Sequence, residues 1–417
     1  EVLFCAFKRN LVKEVKVCHQ PKTLFFNSES LAHKLIGMAQ SFVRTDNINL
    51  MYPGGHFGTR YQGGEDHWET QYMFTKLSPI TRSIFPEDDN VLRNYLQKNG
   101  KSIEHTWFVP ILPMVLVNGI EVNGNGWSTY IPKYNPRDIV ANLRRLLNDE
   151  YTEPMHPWYM GFKVTGVTYT ITGIIEAVDN TMLRITELPI CCWTQDYREC
   201  NILSDSGDVY IDILLSEEDM VISKQEGLAK KFNLATTIGP INMHLFGPDG
   251  NIRKYDTPEQ KFFKLRLEFY EKRKEALLEK IKLSLKSLNN KVRFIFCIVN
   301  DDIIISKRKK AELLLELQQK NFDPLPEKNE ESPEAARGLT KSDYEYLLSV
   351  PISTLTWENI QELIDEKNKL ENELEKLSQT SPRSLWLSDL NALEKELDVL
   401  DRMDAEVVEE RKARIEK

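Results

Sequence analysis

The stretch MYPGGHFGTRYQGGED at residues 51–66, followed after four residues by QYMFTKLSPITRSIF at 71–85, decides how the first part of the chain is read. The first piece gathers Gly54, Gly55, Gly58, Gly63 and Gly64, a density that favours tight turns because glycine adopts left-handed backbone without penalty. The second alternates like a strand and then becomes helical. Upstream, SLAHKLIGMAQSFV sets Leu31, Leu35, Met38 and Phe42 four, three and four residues apart, which predicts a helix with Ser28 or Ser30 as N-cap. VLFCAFKRNLVKEVKV at 2–17 reads as a further helix. Helices followed by a small hairpin are compatible with a winged-helix unit over residues 1–92.

Beyond this unit, residues 93–252 read as mixed α/β. WFVPILPMVLVNG (107–119) is apolar but carries two prolines, so it predicts an irregular buried strand or loop. NPRDIVANLRRLLND follows as an amphipathic helix with Asn135 as N-cap and Pro136 at the first helical position. VTYTITGIIEAV, MLRITELPI and VYIDILL then predict antiparallel strands. From Thr257 the period changes. Phe263, Leu267, Tyr270, Leu277, Ile281 and Leu288 follow a heptad seam, and Ile360, Leu363, Leu370, Leu374 and Leu377, then Leu390, Leu393, Leu397 and Leu400, form a second one. Pro382 should break this second arm into two helices. The Pro- and Glu-rich linker 323–338 lacks any apolar period and is expected to be disordered.

The 417 residues call for two or three domains. No apolar run approaches the roughly 18 residues of a bilayer span, and 28% charged residues fit a soluble globular composition. The net charge of −9 is uneven: residues 1–90 sum to zero, 91–252 to −6, 253–320 to +8, 321–339 to −3 and 340–417 to −8. Two apolar seams of opposite charge predict an antiparallel intramolecular coiled coil. Six cysteines without Cys-x-x-Cys spacing point to a reducing compartment. The opening on Glu1, inside a helical pattern and without Met, reads as a piece of a longer protein.

Taken together, FKRN (7–10), NINL (47–50), HFGTRYQGGED with QYMFT (56–75), WFVPILPMVLVNG with GNGWS (107–128), ITELP with WTQDY (185–197), SLNNKVRFI (287–295) and SPRSLWLSDL (381–390) resemble the DNA breakage-reunion region of eukaryotic type II DNA topoisomerases, the plant enzymes most of all. The blocks run in family order over nearly the whole chain. The resemblance implies an α+β multidomain fold: a winged-helix domain (1–92), a tower-like α/β domain (93–252) and a coiled coil ending in a C-gate dimerisation domain (253–417). It also implies a nuclear homodimer acting on double-stranded DNA, with Mg²⁺ and ATP held by domains that precede this region. Asp301 and Asp302 read as a turn rather than a metal site.

In the family, the tyrosine at the place of Tyr72 attacks a phosphodiester and holds the 5′ end of the broken strand. The covalent bond conserves the energy needed for religation. A phenol ionises only near pH 10, so cationic neighbours must favour the phenolate and the crowded phosphorane. Lys8, Arg9 and Arg60 are the expected phosphate contacts. Several cations of the family are missing. The Arg before the tyrosine is Gln71, and the Lys of Gly-Gly-Lys-Asp is Glu65. Tyr-His-His-Gly becomes Leu24, Phe25, Phe26 and Asn27, and an Arg after Glu-Leu-Pro becomes Cys191. The isoleucine that wedges between base pairs is Asn123, with Val122 beside it. A DNA-cleaving face should be basic, so the zero sum over residues 1–90 predicts weak binding and cleavage impaired by orders of magnitude. Two functions follow: a transient double-strand cleaving and strand-passing region, or a DNA-binding and dimerisation module that has lost the cutting chemistry.

Overall fold

The computed structural model describes residues 2–19, 28–92, 95–98, 101–124, 126–162, 170–190, 192–197, 209, 211–237, 243–246, 251–254, 258–300, 302–304, 308–325, 344–351 and 357–415. The linker expected at 323–338 falls almost wholly outside these, as do Leu24–Asn27, Cys191 and Asp301. The chain forms two compact units, one of residues 1–267 with 386–417 and one of residues 268–385. Among the described residues no helix is long and apolar enough to cross a membrane.

In the first unit, Val15–Lys16, Phe74–Leu77 and Met51–Gly54 form an antiparallel sheet with Phe74–Leu77 in the centre. Helices Val2–Lys8 and Ser28–Gly37 pack on it, closing a core of Ala6, Leu11, Val17, Leu35, Met51, Phe57, Met73 and Leu77. Helices and a small sheet are thus present, but the helix expected at 2–17 stops at Lys8. Asn10 turns left-handed at φ 47°, and the amides of Asn10 and Leu11 bond the carbonyls of Phe7 and Ala6 at 3.0 Å. That is a C-terminal cap, and it reverses the chain into the sheet. The second helix also ends early, so Met38 and Phe42 lie beyond it.

Further along, Pro136–Leu147 is the expected helix, with the Asn135 side chain accepting from the Arg137 amide at 2.9 Å. Ile174–Ala177, Met182–Glu187 and Ile211–Leu214 make the antiparallel sheet that the alternation predicted. The 107–119 segment is irregular apart from a short turn of helix at Met114–Val117, and it buries Ile111 and Leu112 completely. Trp386 of SPRSLWLSDL is fully buried against it. Its indole donates to the Ile111 carbonyl at 3.0 Å, and its ring stacks on Phe263 at 5.3 Å.

In the second unit, Lys274 donates to the Ser378 carbonyl at 2.9 Å and Phe296 meets the Trp357 ring at 5.6 Å. Residue numbers rise along Pro258–Val299 as they fall along Trp357–Gln379, so these two helices run antiparallel, as the paired seams implied. Phe294, Leu313, Leu317, Phe322, Tyr344 and Leu347 form a separate core at the far end of this hairpin. Pro382 begins a new helix after Trp357–Gln379, and Ser381 Oγ accepts the Ser384 amide at 3.0 Å as its cap.

The charge pairing differs in part from expectation. Lys310 with Glu345, at 2.7 Å, does join the basic and acidic blocks. Within the first unit, however, the acidic face of Pro382–Ile415 is taken by helix Pro136–Leu147: Arg137 pairs with Asp398 at 2.8 Å and also with Asp401, and Arg144 pairs with Glu394 at 2.5 Å. The seam Phe263–Leu288 also buries Arg266 and Arg273. Arg266 is held by Asp89 at 2.9 Å and by the Val109 carbonyl at 2.8 Å. A buried cation requires such a partner, and the heptad reading had no means of supplying one.

Candidate active site

Tyr72 stands two residues before the start of the central strand, Phe74–Leu77, of the three-stranded sheet. Alternation places Tyr72 and Phe74 outward and Met73 and Thr75 inward; Tyr72 is 60% exposed while Met73 and Thr75 are fully buried. The Met73 carbonyl accepts the Val17 amide at 2.9 Å, that of Thr70 accepts Cys18 at 3.2 Å, and the Tyr72 amide closes a turn on Glu69 at 2.9 Å. The phenol therefore projects from backbone anchored on both sides. Lys16 and Tyr52, cross-strand neighbours of Phe74 and Lys76, share its face. Lys76 lies 4.5 Å from the Tyr52 ring and Lys16 5.9 Å from the Phe74 ring, an aromatic and cationic surface of the kind that receives nucleic acid.

The Gly-rich loop folds back on itself. The Asp66 carboxylate accepts the Thr59 amide at 2.8 Å and the Thr59 hydroxyl at 2.6 Å. Partial burial works to raise the Asp66 carboxyl, but these bonds and nearby His56 outweigh it and hold the group below the ordinary carboxylate range. Gln40 donates to the carbonyls of Phe57 and Gly64 at 3.0 and 3.2 Å. Gly58 and Gly63 are required here. Both have positive φ, and a Cβ on either would sit 2.5 Å from another atom, the Gly64 carbonyl oxygen for Gly58 and the Trp193 indole for Gly63.

The expected phosphate contacts separate into two groups. Lys8 and Arg9 are exposed at the end of helix Val2–Lys8. Lys8 lines a groove of about 730 Å³ with Phe7, Asn10, Pro86, Glu87 and Arg82, and Arg82 is a cation that the sequence reading did not single out. Arg60 lies elsewhere. It is 6% exposed, ion-paired with Glu187 and donating to the Leu188 carbonyl at 2.9 Å. Gln71 is exposed, and its amide donates to the Glu69 carboxylate at 2.5 Å. Glu65 is exposed nearby in sequence. Asn123 pairs with Ser128 in the hairpin Ile120–Ile131, and the adjacent Val122 is 47% exposed.

NINL and VNG proved to be structural. Asn47, buried, donates to the carbonyls of Val117, Tyr134 and Trp158 at 2.9 to 3.2 Å and accepts the Met160 amide at 3.0 Å. Asn118 exchanges two bonds with Ile48, at 3.0 and 3.1 Å. These partners lie about 70 to 113 residues away, beyond the reach of local pattern. Among the described residues no three His, Cys, Asp or Glu side chains are grouped to hold a metal.

Residues 2–391 match the family model that describes the A-type chains of DNA gyrase and topoisomerase IV. The chain is 45% identical to DNA topoisomerase 2 of Arabidopsis thaliana, over 98% of this chain and 32% of that protein. It is 46% identical to DNA topoisomerase 2 of Pisum sativum, over 94% and 31%. A crystal structure described as the Plasmodium falciparum topoisomerase II DNA-binding, cleavage and re-ligation domain superposes with a TM-score of 0.90 at 36% identity, covering 97% of this chain and 61% of that one. The chain spans about a third of the length of the curated relatives it matches.

Proposed function

The chain belongs to the DNA gyrase/topoisomerase IV family, and from that membership we propose that it is the breakage-reunion and C-gate region of a eukaryotic type II DNA topoisomerase. Residues 1–92, 93–252 and 253–417 serve in this reading as the winged-helix, tower-like and coiled-coil dimerisation parts. The protein acts in the nucleus as a homodimer on double-stranded DNA, with ATP and Mg²⁺ held outside this chain.

The observation that carries the reading is the exposed Tyr72 phenol on backbone pinned by Met73. Its oxygen attacks the scissile phosphorus while the bond to the 3′ oxygen breaks. The phenol loses its proton, the 3′ oxygen gains one, and the 5′ phosphate remains on the tyrosine. Religation reverses these steps without further energy input. Lys8 and Arg9 supply exposed positive charge for the backbone. Trapping protein-DNA adducts from the full-length protein with denaturant tests this directly. An adduct that forms with the native chain and vanishes in Tyr72→Phe is the expected result; an adduct that survives in Tyr72→Phe removes this residue from the chemistry.

A second reading, a DNA-binding and dimerisation module without cutting activity, is favoured by one contact. Gln71 turns its amide to Glu69, so the position preceding the tyrosine carries no charge and faces a carboxylate. Duplex binding and dimerisation without any adduct is the result that selects it.

A further inference from the structure

We propose that Arg60 is a positioning residue for the reacting tyrosine, acting through Glu187 rather than through DNA; this rests on the reading of Tyr72 as the nucleophile. An arginine in a Gly-rich loop of a DNA enzyme invites assignment to a phosphate. Here, however, one terminal nitrogen pairs with Glu187 and the other donates to the Leu188 carbonyl at 2.9 Å, with the side chain 7% exposed. The planar fork of arginine suits this two-point grip, and a lysine ammonium does not reproduce it.

The anchor itself is fixed. Glu187 Oε1 also accepts the Leu188 amide at 3.0 Å. Glu187 ends its strand where the register with Ile174–Ala177 shifts. Gly173 approaches so closely that a Cβ there would lie 2.4 Å from the Glu187 carbonyl oxygen. Two neighbouring contacts come from the same direction. The Tyr61 carbonyl accepts the Gln195 amide at 3.1 Å, and Trp193 covers Gly63, with Arg44 stacked 4.7 Å from its ring. Residues 60, 61 and 63 of the loop are therefore all held by Glu187, Leu188, Trp193 and Gln195.

On the other side the loop leads to Tyr72 through short backbone bonds, Gly64 to Thr59 at 2.8 Å, Trp68 to His56 at 3.1 Å and Tyr72 to Glu69 at 2.9 Å. The phenol is thus placed by the strand Met182–Glu187, more than a hundred residues downstream, as well as by its own sheet. A shift of that strand moves the nucleophile.

The experiment compares Arg60→Gln, Arg60→Lys, Glu187→Gln and the double Arg60→Gln/Glu187→Gln in the full-length protein, with Lys8→Gln as the phosphate-contact control. Duplex affinity is measured against salt concentration, adduct yield after denaturant trapping, and hydrogen exchange at the Gly64, Trp68 and Tyr72 amides. Arg60→Gln should leave the salt slope unchanged, whereas a lost phosphate contact lowers it by about 0.9. Adduct yield should fall tenfold or more in either single variant with duplex Kd within twofold, and the double should be no worse than the singles. Arg60→Lys, which keeps the charge but not the two-point grip, should also lose adduct and amide protection. A slope lowered by about one unit in Arg60→Gln, or additive losses in the double, overturns the proposal. If the native protein forms no adduct, the function reading fails by itself and the other arms still decide: faster exchange at the Trp68 and Tyr72 amides in both single variants supports the coupling, and unchanged exchange refutes it.

Discussion

Replacing Gln71 by Arg and Glu65 by Lys adds positive charge at two exposed positions of the segment that leads to Tyr72, and the structure sets how much each change should contribute. Both side chains are exposed, so substitution costs little folding energy. A phosphate contact contributes about 0.9 to the slope of log K against log salt. Gln71 already donates to Glu69 at 2.5 Å, so an arginine placed there is drawn first to that carboxylate. Gln71→Arg alone should therefore steepen the slope by less than about 0.9. Adding Glu69→Gln frees the guanidinium, and adding Glu65→Lys brings a second cation, for a total of about 1.8. Between about 50 and 200 mM salt, a slope change of about 1.8 corresponds to about a 12-fold larger loss of affinity than the native chain shows. Fluorescence anisotropy on a labelled duplex across that range measures it. A triple variant with the native slope would mean that DNA does not pass over this face. A Gln71→Arg single that reaches the full effect would show that Glu69 does not compete.

Two further outcomes follow from buried or partly buried groups. Asn47→Asp places a carboxylate against the carbonyls of Val117, Tyr134 and Trp158, where it accepts but cannot donate; urea unfolding should show a loss of at least about 3 kcal/mol, and a loss below about 1 kcal/mol would contradict the hub assigned to this residue. Burial pushes the Tyr346 phenol up to about 12, so its proton is held more tightly folded than unfolded. Its contribution is full below the ordinary phenol value of about 10 and is lost as pH rises through about 12. Stability against pH in Tyr346→Phe should lack this decline, and an identical decline in both proteins would refute the assignment.

Much of the fold was legible in the chain itself. The alternation of QYMFTKL marked a strand, Asn135 and Pro136 marked the start of their helix, and Pro382 marked a break that Ser381 caps. These signals are local: a side chain's parity on a strand, its turn on a helix and the capping of an amide depend on residues within about four positions. The candidate nucleophile was likewise legible, because its motif is contiguous.

The sequence did not determine what each charge does. Arg60 had the composition of a phosphate contact, yet its partners are Glu187 and Leu188; Arg266 lay on an apolar seam, yet it meets Asp89; and the acidic C-terminal helix meets Arg137 and Arg144. Opposite charge alone matches a cation with any carboxylate in the chain. Which pair forms is decided by packing that brings residues more than a hundred positions apart into contact and removes the water that would otherwise screen them. The exposed positive charge available to DNA is thus a property of the tertiary structure, and the net charge of residues 1–90 bounds it without locating it.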